Sequence, residues 1–166
     1  VIGGGDWAKD RLIPDLIKSI ERDDILYIRN PNSTRPWQHV LEPLFGYLLL
    51  AKQLSNGNKE FASGWNFGPH QDANLAVRDI INQIQTKWNN FKFEFDEKNN
   101  FHESTTLMLN SEKARNQLNW KTILDNKETI EFTMDWYKSY FTNSKIISLN
   151  QIEKYMLLIN DRYENK

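Results

Sequence analysis

The sequence lacks cysteine altogether. Disulfide bonds, thiolate zinc sites and cysteine nucleophiles are therefore excluded, and no metal site is predicted. The sequence also lacks an uninterrupted apolar run of about 18 residues, so we expect no membrane-spanning helix. The net charge is −1, and the lysines and arginines are spread along the chain instead of forming a basic stripe. This distribution argues against a nucleic-acid-binding surface but is compatible with a single anionic ligand.

What the composition does contain suits a globular core. Of the 166 residues, 39% are hydrophobic and 26% are charged. Six tryptophans and nine phenylalanines indicate either a rich core or an aromatic-lined pocket. The length allows one domain, or one and a part. The chain opens inside a motif, Val1-Ile2-Gly3-Gly4-Gly5, and we therefore expect it to be a piece of a longer protein.

A candidate anion clamp is centred on one arginine. It is the first residue of the segment Arg35-Pro36-Trp37-Gln38-His39-Val40. The proline limits the backbone, the indole can pack against the guanidinium stem, and the guanidinium can bind phosphate oxygens through two hydrogen bonds. The alternative is an ordinary surface pair of arginine and tryptophan.

A glycine-rich loop stands at the beginning of the chain. The run Gly3-Gly4-Gly5-Asp6-Trp7-Ala8 fits the pattern Gly-x-Gly-x-x-Gly/Ala of dinucleotide-binding loops. A true fingerprint follows a full strand, and an acidic residue closes the next strand. Here the next strand closes with Arg29-Asn30, and only residues 1 and 2 precede the glycines as a strand end. We therefore expect a wide loop that lets backbone approach a ligand, not a pyrophosphate site.

Hydrophobic periodicity predicts a mixture of helices and strands. Helices are expected over residues 11–22, 40–54, 75–88, 111–120, 127–141 and 149–163, and strands over 25–29, 64–69, 91–95 and 105–109. Pro14 suits a first helical turn, Asn74 can cap the third helix, and Gly46 is expected at a close contact. Residues 48–51, three leucines and an alanine, suggest burial on more than one side of the second helix.

Several polar residues have two possible roles. Backbone N–H groups at the start of the first helix, with Arg11 beside them, could hold an anion, or Arg11 could simply be solvated at a helix end. Asn66 either bonds backbone or points its amide at a ligand. His39 is expected to be structural, and His70 has no evident role. No tyrosine is followed by a lysine four residues later, so a Tyr-x-x-x-Lys catalytic pair is absent.

Taken in order, these residues resemble the CDP-glucose 4,6-dehydratases, which are extended short-chain dehydrogenases, over nearly the whole chain. The run from the glycine loop to Asp15 and the Arg-Pro-Trp-Gln-His run carry the resemblance most specifically. Further matching segments are Ile28-Arg29-Asn30-Pro31, Trp65-Asn66-Phe67-Gly68-Pro69, His102-Glu103 and Asn110-Ser111-Glu112-Lys113-Ala114-Arg115.

The resemblance implies an α/β fold class. Residues 1–166 would be the C-terminal portion of an extended short-chain dehydrogenase, containing the last strands and helices of a Rossmann sheet and a small mixed α/β substrate-binding lobe. The N-terminal NAD-binding half, with the Tyr-x-x-x-Lys pair and the dehydration acid and base, would be absent. No catalytic residue would therefore lie in this chain, which would be inactive alone. The full-length parent would be a cytoplasmic homo-oligomer of deoxysugar biosynthesis for lipopolysaccharide O-antigen.

The resemblance also implies a reaction and a set of site residues. CDP-glucose would bind beside NAD, C4 would be oxidised, water would be lost across C5 and C6, and the hydride would return to C6. Arg35 would clamp the diphosphate, and the remaining substrate-binding residues would be Arg11, Leu12, Arg29, Asn66 and His102. Two alternatives stay open: a fragment of another nucleotide-sugar epimerase or reductase, and a non-catalytic nucleotide-binding module.

Overall fold

The structure is a computed structural model that describes residues 1–70, 74–88, 91–95 and 107–164. Its helices are α1 Leu12–Arg22, α2 Leu41–Ser55, α3 Val77–Lys87, α4 Glu112–Leu118, α5 Asn126–Asn143 and α6 Ser148–Ile159. Its strands are β1 Ile25–Ile28, β2 Thr34–Pro36, β3 Asn74–Ala76 and β4 Lys92–Phe95. A 3₁₀ turn covers Lys59–Phe61, and a π-helical turn, Asn160–Glu164, extends α6. The expected mixture of helices and strands is confirmed, with differences at particular segments.

Helix α1 and strand β1 contribute to the largest hydrophobic core. The apolar stripe of α1 buries Ile13, Leu16 and Ile17, as its 3.6-residue period predicts. The helix ends at Asp23, which takes the left-handed conformation with φ 53°. β1 then pairs in parallel with β4, in a register that runs from Ile25 opposite Lys92 to Ile28 opposite Phe95. Helices α1, α3 and α5 supply most of the remaining side chains of this core.

A second, antiparallel pair joins β2 to β3 and places Arg35 opposite Leu75. Arg35, the centre of the candidate anion clamp, therefore lies on a short strand. The same pairing explains why the third helix begins at Val77 and not at Leu75. Residues 74–76 are extended because their backbone bonds to β2, and the prediction that Asn74 caps the helix is wrong, since α3 has no side-chain cap.

The strand expected over residues 64–69 is also wrong. These residues have no partner strand, and side chains bind their backbone instead: Gln38 Nε2 donates to the Phe67 carbonyl at 2.7 Å, and the Gly68 amide donates to Ser111 Oγ at 2.7 Å. Residues 107–109 are not in a strand either, and the first two residues of that predicted strand lie outside the described residues. At the chain start, Ile2 forms a single parallel bridge with His39.

Helix α2 is buried on one side only. Gly46 is at the expected close contact, because a Cβ there would lie 2.3 Å from Phe67. Leu48, by contrast, is 70% exposed, so the expectation of burial on more than one side is wrong. Leu44, Leu48, Ile152 and Met156 line an apolar groove of about 470 Å³ between α2 and α6. Within the described ranges, no helix combines the length and apolarity that a membrane crossing needs.

A buried carboxylate fixes α2 to the segment before α5. Glu42 is fully buried, and its two oxygens accept hydrogen bonds from the amides of Ile123, at 3.0 and 3.1 Å, and Leu124, at 2.7 Å. Burial raises the pKa of Glu42, and the two amide hydrogen bonds oppose that rise. Beyond this point Asp125 caps α5 in a reciprocal capping box with Glu128, which stabilises the helix start.

Candidate functional site

The main candidate site is a cavity of about 260 Å³ between the start of α1, the end of β1 and β2. It is named here the arginine cavity. Three arginines contribute to its lining, which consists of Asp10, Arg11, Leu12, Asp15, Leu26, Tyr27, Ile28, Arg29, Asn30, Ser33, Arg35, Trp37 and Val77. The fold thus brings together four of the predicted substrate-binding residues: Arg11, Leu12, Arg29 and Arg35.

The start of α1 adds backbone donors to this wall. Arg11 is the N-cap residue, with extended backbone at φ −124° and ψ 137°, and no side chain caps the helix. Leu12 and Ile13 carry the first helical N–H groups, whereas Pro14 has none. A helix N-terminus carries about half a positive charge, so these donors reinforce the guanidinium groups toward an anion.

Acidic side chains hold two of the arginines at the rim. Arg11 Nη1 lies 2.9 Å from Asp6 Oδ2, and Arg29 Nη2 lies 3.9 Å from Asp10 Oδ1. Burial works to raise the pKa of Asp6, but the Ala8 amide and the Arg11 guanidinium hold it below its ordinary value. Arg35 Nη1 donates to the Thr34 carbonyl at 2.9 Å. Hydrogen bonds therefore orient the guanidinium groups of Arg11 and Arg35, whereas Arg29 has only the longer, solvent-exposed ion pair.

The other two predicted site residues are Asn66 and His102. Asn66 donates its side-chain amide to the Asn110 carbonyl at 3.3 Å, which is the backbone-bonding role that the sequence left open. The residues that line the arginine cavity do not include it. His102 lies outside the described residues, so its predicted role stays a prediction.

A second cavity, of about 200 Å³, adjoins the first and shares Arg11, Leu12 and Trp37 with it. Its other walls come from residues 1–3, Asp6, Ile13 and Pro14. Trp37 is only 9% exposed, and its indole N–H donates to the Leu75 carbonyl at 2.9 Å. The Trp37 ring is therefore a fixed wall shared by the two cavities, and it can orient a ligand that extends from one cavity into the other.

The glycine loop packs against Trp136 of α5. A Cβ on Gly4 would lie 1.9 Å from Trp136 Cγ, and Gly5 has a positive φ of 80°. The Tyr137 hydroxyl donates to the Asp6 carbonyl at 2.7 Å, and burial raises the pKa of Tyr137 to about 12. The expectation that the glycines let backbone approach a ligand stays a prediction, since Trp136 occupies the space beside Gly4 and Gly5 but Gly3 lines a cavity. The loop also positions Asp6, and through it Arg11.

We expect Gly4→Ala to destabilise the protein by about 1–3 kcal/mol, because the added methyl overlaps the Trp136 ring in a packed contact. Gly64→Ala is the matched control, since a Cβ at Gly64 meets nothing within 4 Å. Urea unfolding followed by tryptophan fluorescence measures both variants. Equal midpoints for the two variants would show that the loop does not need glycine at this position.

His39 is structural, as predicted. The side chain is 2% exposed, its Nδ1 accepts from the Leu41 amide at 3.3 Å, and its ring meets Phe132 edge-on at 5.5 Å. Burial lowers the pKa of His39 to about 4, so the ring stays neutral at physiological pH. Among the described residues, no group of three or more histidine, aspartate or glutamate side chains could hold a metal ion.

Sequence reasoning missed the acidic half of the site. Asp6 and Asp10 lie in the loop that carried the glycine pattern, and their spacing from Arg11 was the available signal. Tyr27 was also missed, although the strand alternation puts it on the opposite face from Leu26 and Ile28. These residues matter because they line the same cavities as the predicted arginines.

Comparison with known proteins gives a relative over nearly the whole chain. No family model matches the sequence. A curated relative, the CDP-glucose 4,6-dehydratase of Salmonella typhimurium, is 42% identical over 159 residues, which is 94% of this chain and 44% of the relative. The chain thus spans less than half the length of the relative. The resemblance to the C-terminal part of a CDP-glucose 4,6-dehydratase is confirmed.

Solved structures with a similar fold are nucleotide-sugar epimerases and dehydratases. UDP-glucuronic acid 4-epimerase from Bacillus cereus, in complex with UDP-glucuronic acid and NAD, matches 78% of this chain and 40% of its own, with a TM-score of 0.64 and 19% identity. dTDP-glucose 4,6-dehydratase from Bacillus anthracis, in complex with NAD, matches 82% and 42%, with a TM-score of 0.59 and 16% identity. This is an extended short-chain dehydrogenase fold. The chain has its C-terminal portion, as the sequence predicted.

Proposed function

We propose that this chain is the substrate-binding part of a CDP-glucose 4,6-dehydratase, which converts CDP-glucose to CDP-4-keto-6-deoxyglucose with loss of water. The observation that carries the proposal is the arginine cavity, whose Arg11, Leu12, Arg29 and Arg35 lie together in a chain that is 42% identical to such an enzyme over 94% of its length. In this proposal residues 1–166 form a single C-terminal portion, and the NAD-binding half is a separate, N-terminal part of the polypeptide.

The cavity has the donors that a diphosphate needs. A nucleotide diphosphate sugar carries two negative charges at neutral pH, and guanidinium groups bind phosphate oxygens in pairs. Arg35 approaches from β2, and Arg11 together with the Leu12 amide approaches from α1. Asp6 keeps the Arg11 guanidinium in place before the ligand arrives, which lowers the ordering cost of binding.

The second cavity suits the glucose unit. It adjoins the arginine cavity, because Arg11, Leu12 and Trp37 line both cavities. A sugar held there lies between the Trp37 ring and the backbone of Gly3. An aromatic and backbone enclosure excludes water from the sugar, which protects the reactive keto intermediates of the reaction.

The described residues do not fit a dinucleotide. Their one glycine-rich loop packs against Trp136 at Gly4 and Gly5, and it lacks the full preceding strand and the acidic residue of a dinucleotide fingerprint. NAD, when bound, would take a hydride from C4 and return it to C6, and we assign its binding mainly to the N-terminal half. The contribution of this chain is to bind, orient and shield the nucleotide sugar. We assign no catalytic residue to it, and we expect the full-length protein to be a homo-oligomer.

A second candidate function is supported by the structural neighbours. The epimerase from Bacillus cereus shares the fold with a TM-score of 0.64, so a nucleotide-sugar epimerase or reductase would use a similar C-terminal part. The higher sequence identity to a dehydratase favours the first proposal. A non-catalytic nucleotide-binding module is a third reading.

Product analysis of the full-length polypeptide that contains this chain tests these proposals. With NAD and CDP-glucose, we expect a nucleotide sugar that is lighter than the substrate by the mass of one water. An epimer of unchanged mass would favour the second candidate. Tight binding of CDP-glucose without any product, in a polypeptide that has the Tyr-x-x-x-Lys pair, would contradict the dehydratase proposal.

A further inference from the structure

One ion pair of the arginine cavity has no evident structural purpose. Arg29 and Asp10 approach each other at 3.9 Å, with side chains 53% and 85% exposed. An ion pair this open to solvent contributes little to stability. Asp10 also takes the left-handed conformation with φ 61°, which is uncommon for a residue other than glycine. Both residues line the cavity, so a ligand is the natural partner for the exposed charges.

The position of this pair relative to the phosphate donors identifies the part of the ligand it meets. Arg11 and Leu12 line both cavities, and in the proposed function the sugar extends from there into the second cavity. The nucleoside must then lie in the rest of the arginine cavity, along β1. The polar and aromatic groups of that wall are Tyr27, Arg29 and Asn30, and Asp10 lies beside Arg29.

An acid next to a guanidinium matches the edge of one pyrimidine. Cytosine presents an amino donor at N4 beside acceptors at N3 and O2, whereas uracil and thymine present an acceptor at O4 and a donor at N3. A carboxylate accepts from the cytosine amino group, and a guanidinium donates to the acceptors beside it. Uracil in the same position would set its O4 lone pairs against the carboxylate.

We propose that Asp10 and Arg29 together select cytosine as the base of the nucleotide sugar. Asp10 accepts from the N4 amino group, and Arg29 donates to N3 and O2. Tyr27, which is 62% exposed and lines the cavity, offers an aromatic face on which the base can stack, as pyrimidines do on protein aromatic rings. This inference rests on the proposed function, because it names the base of the ligand bound at the same site.

The test is Asp10→Asn in the full-length polypeptide, with affinities for CDP-glucose and UDP-glucose measured by calorimetry in the presence of NAD. An asparagine amide can donate as well as accept, so the variant loses its preference for the cytosine amino group. We expect the ratio of the two affinities to fall at least about tenfold, the size of one base-edge contact. Asp23→Asn is the control, because Asp23 is also exposed, also has a positive φ and pairs with Lys92, but lies outside the cavity.

The possible outcomes separate the inference from the proposed function. A ratio that falls in Asp10→Asn and not in Asp23→Asn supports base selection. Equal weakening of both nucleotide sugars in Asp10→Asn, or no change, overturns base selection and leaves the substrate site intact. A wild-type protein that binds neither nucleotide sugar overturns the proposed function, and base selection with it.

Discussion

Replacing Arg35 by alanine is expected to weaken the binding of CDP-glucose by about 1.5–3 kcal/mol, the scale of a hydrogen bond to a charged group. This corresponds to a loss of affinity of roughly tenfold to more than a hundredfold. The reason is that Arg35 lines the arginine cavity from β2, opposite the donors at the start of α1. No other described residue of β2 can replace its charge, since Thr34 and Pro36 are neutral.

Arg22→Ala is the matched control for this substitution. Arg22 is an exposed arginine in the last turn of α1, at the opposite end of the helix from the cavity. Both variants change the net charge equally, so a general electrostatic effect would appear in both. Calorimetric titration of the full-length polypeptide with CDP-glucose measures the two affinities. Unchanged affinity in Arg35→Ala would remove Arg35 from the binding site.

Replacing Glu42 by alanine is expected to destabilise the protein by about 2–4 kcal/mol. The substitution removes the acceptor of two buried amides, those of Ile123 and Leu124, and an unsatisfied buried donor costs about 1–3 kcal/mol. The alanine variant no longer buries a charged carboxylate, and the removal of that desolvation cost offsets part of the loss in stability. Glu42→Gln keeps one acceptor oxygen, so we expect a smaller loss.

Urea unfolding followed by tryptophan fluorescence is suited to this measurement. Trp120 is buried, and its indole N–H donates to the Glu42 carbonyl at 3.2 Å, so it reports on the affected region. Glu153→Ala, an exposed position on α6, is the control and should change stability by less than about 0.5 kcal/mol. A Glu42→Ala variant as stable as this control would show that the buried carboxylate is dispensable.

The ionisation of Glu42 makes the free energy of unfolding depend on pH, and this part of it falls as the pH rises. Because burial raises the pKa of Glu42 above its ordinary value of 4.5, the folded protein binds the proton more tightly than the unfolded chain. The contribution of this group to stability is therefore complete below pH 4.5 and declines as the pH rises through the folded-state pKa. We expect this part of the pH dependence to disappear in Glu42→Gln, which has no ionisable group at that position.

The sequence was informative where a feature is local. The stripe of Ile13, Leu16 and Ile17 predicts α1 because residues that share a helical face follow from spacing alone. The gathering of Arg11, Arg29 and Arg35 in one cavity was anticipated only through resemblance to a known family. Spacing could not supply it, since these residues lie on three different elements whose arrangement depends on the whole fold.

The predictions from sequence are wrong where the structure of a backbone segment depends on the group that hydrogen-bonds to it. Residues 64–69 have the composition of a buried strand, yet Gln38 and Ser111 supply side-chain hydrogen bonds in place of a neighbouring strand. Residues 74–76 fit a helical pattern, but pairing with β2 extends them. Asp10 was overlooked because an exposed acid in a loop has no sequence signal until its neighbours are known. Tertiary context decided all three cases.

The contact between Gly4 and Trp136 has an evolutionary consequence. The two residues lie far apart in the chain, yet the absence of a side chain at one is what makes room for the indole of the other. We expect the two positions to change only together. A larger residue at position 4 requires a smaller side chain at position 136, and a tryptophan at position 136 requires glycine at position 4. The opening loop and α5 should therefore be inherited as a matched pair, and recombination that exchanges one without the other breaks the fit.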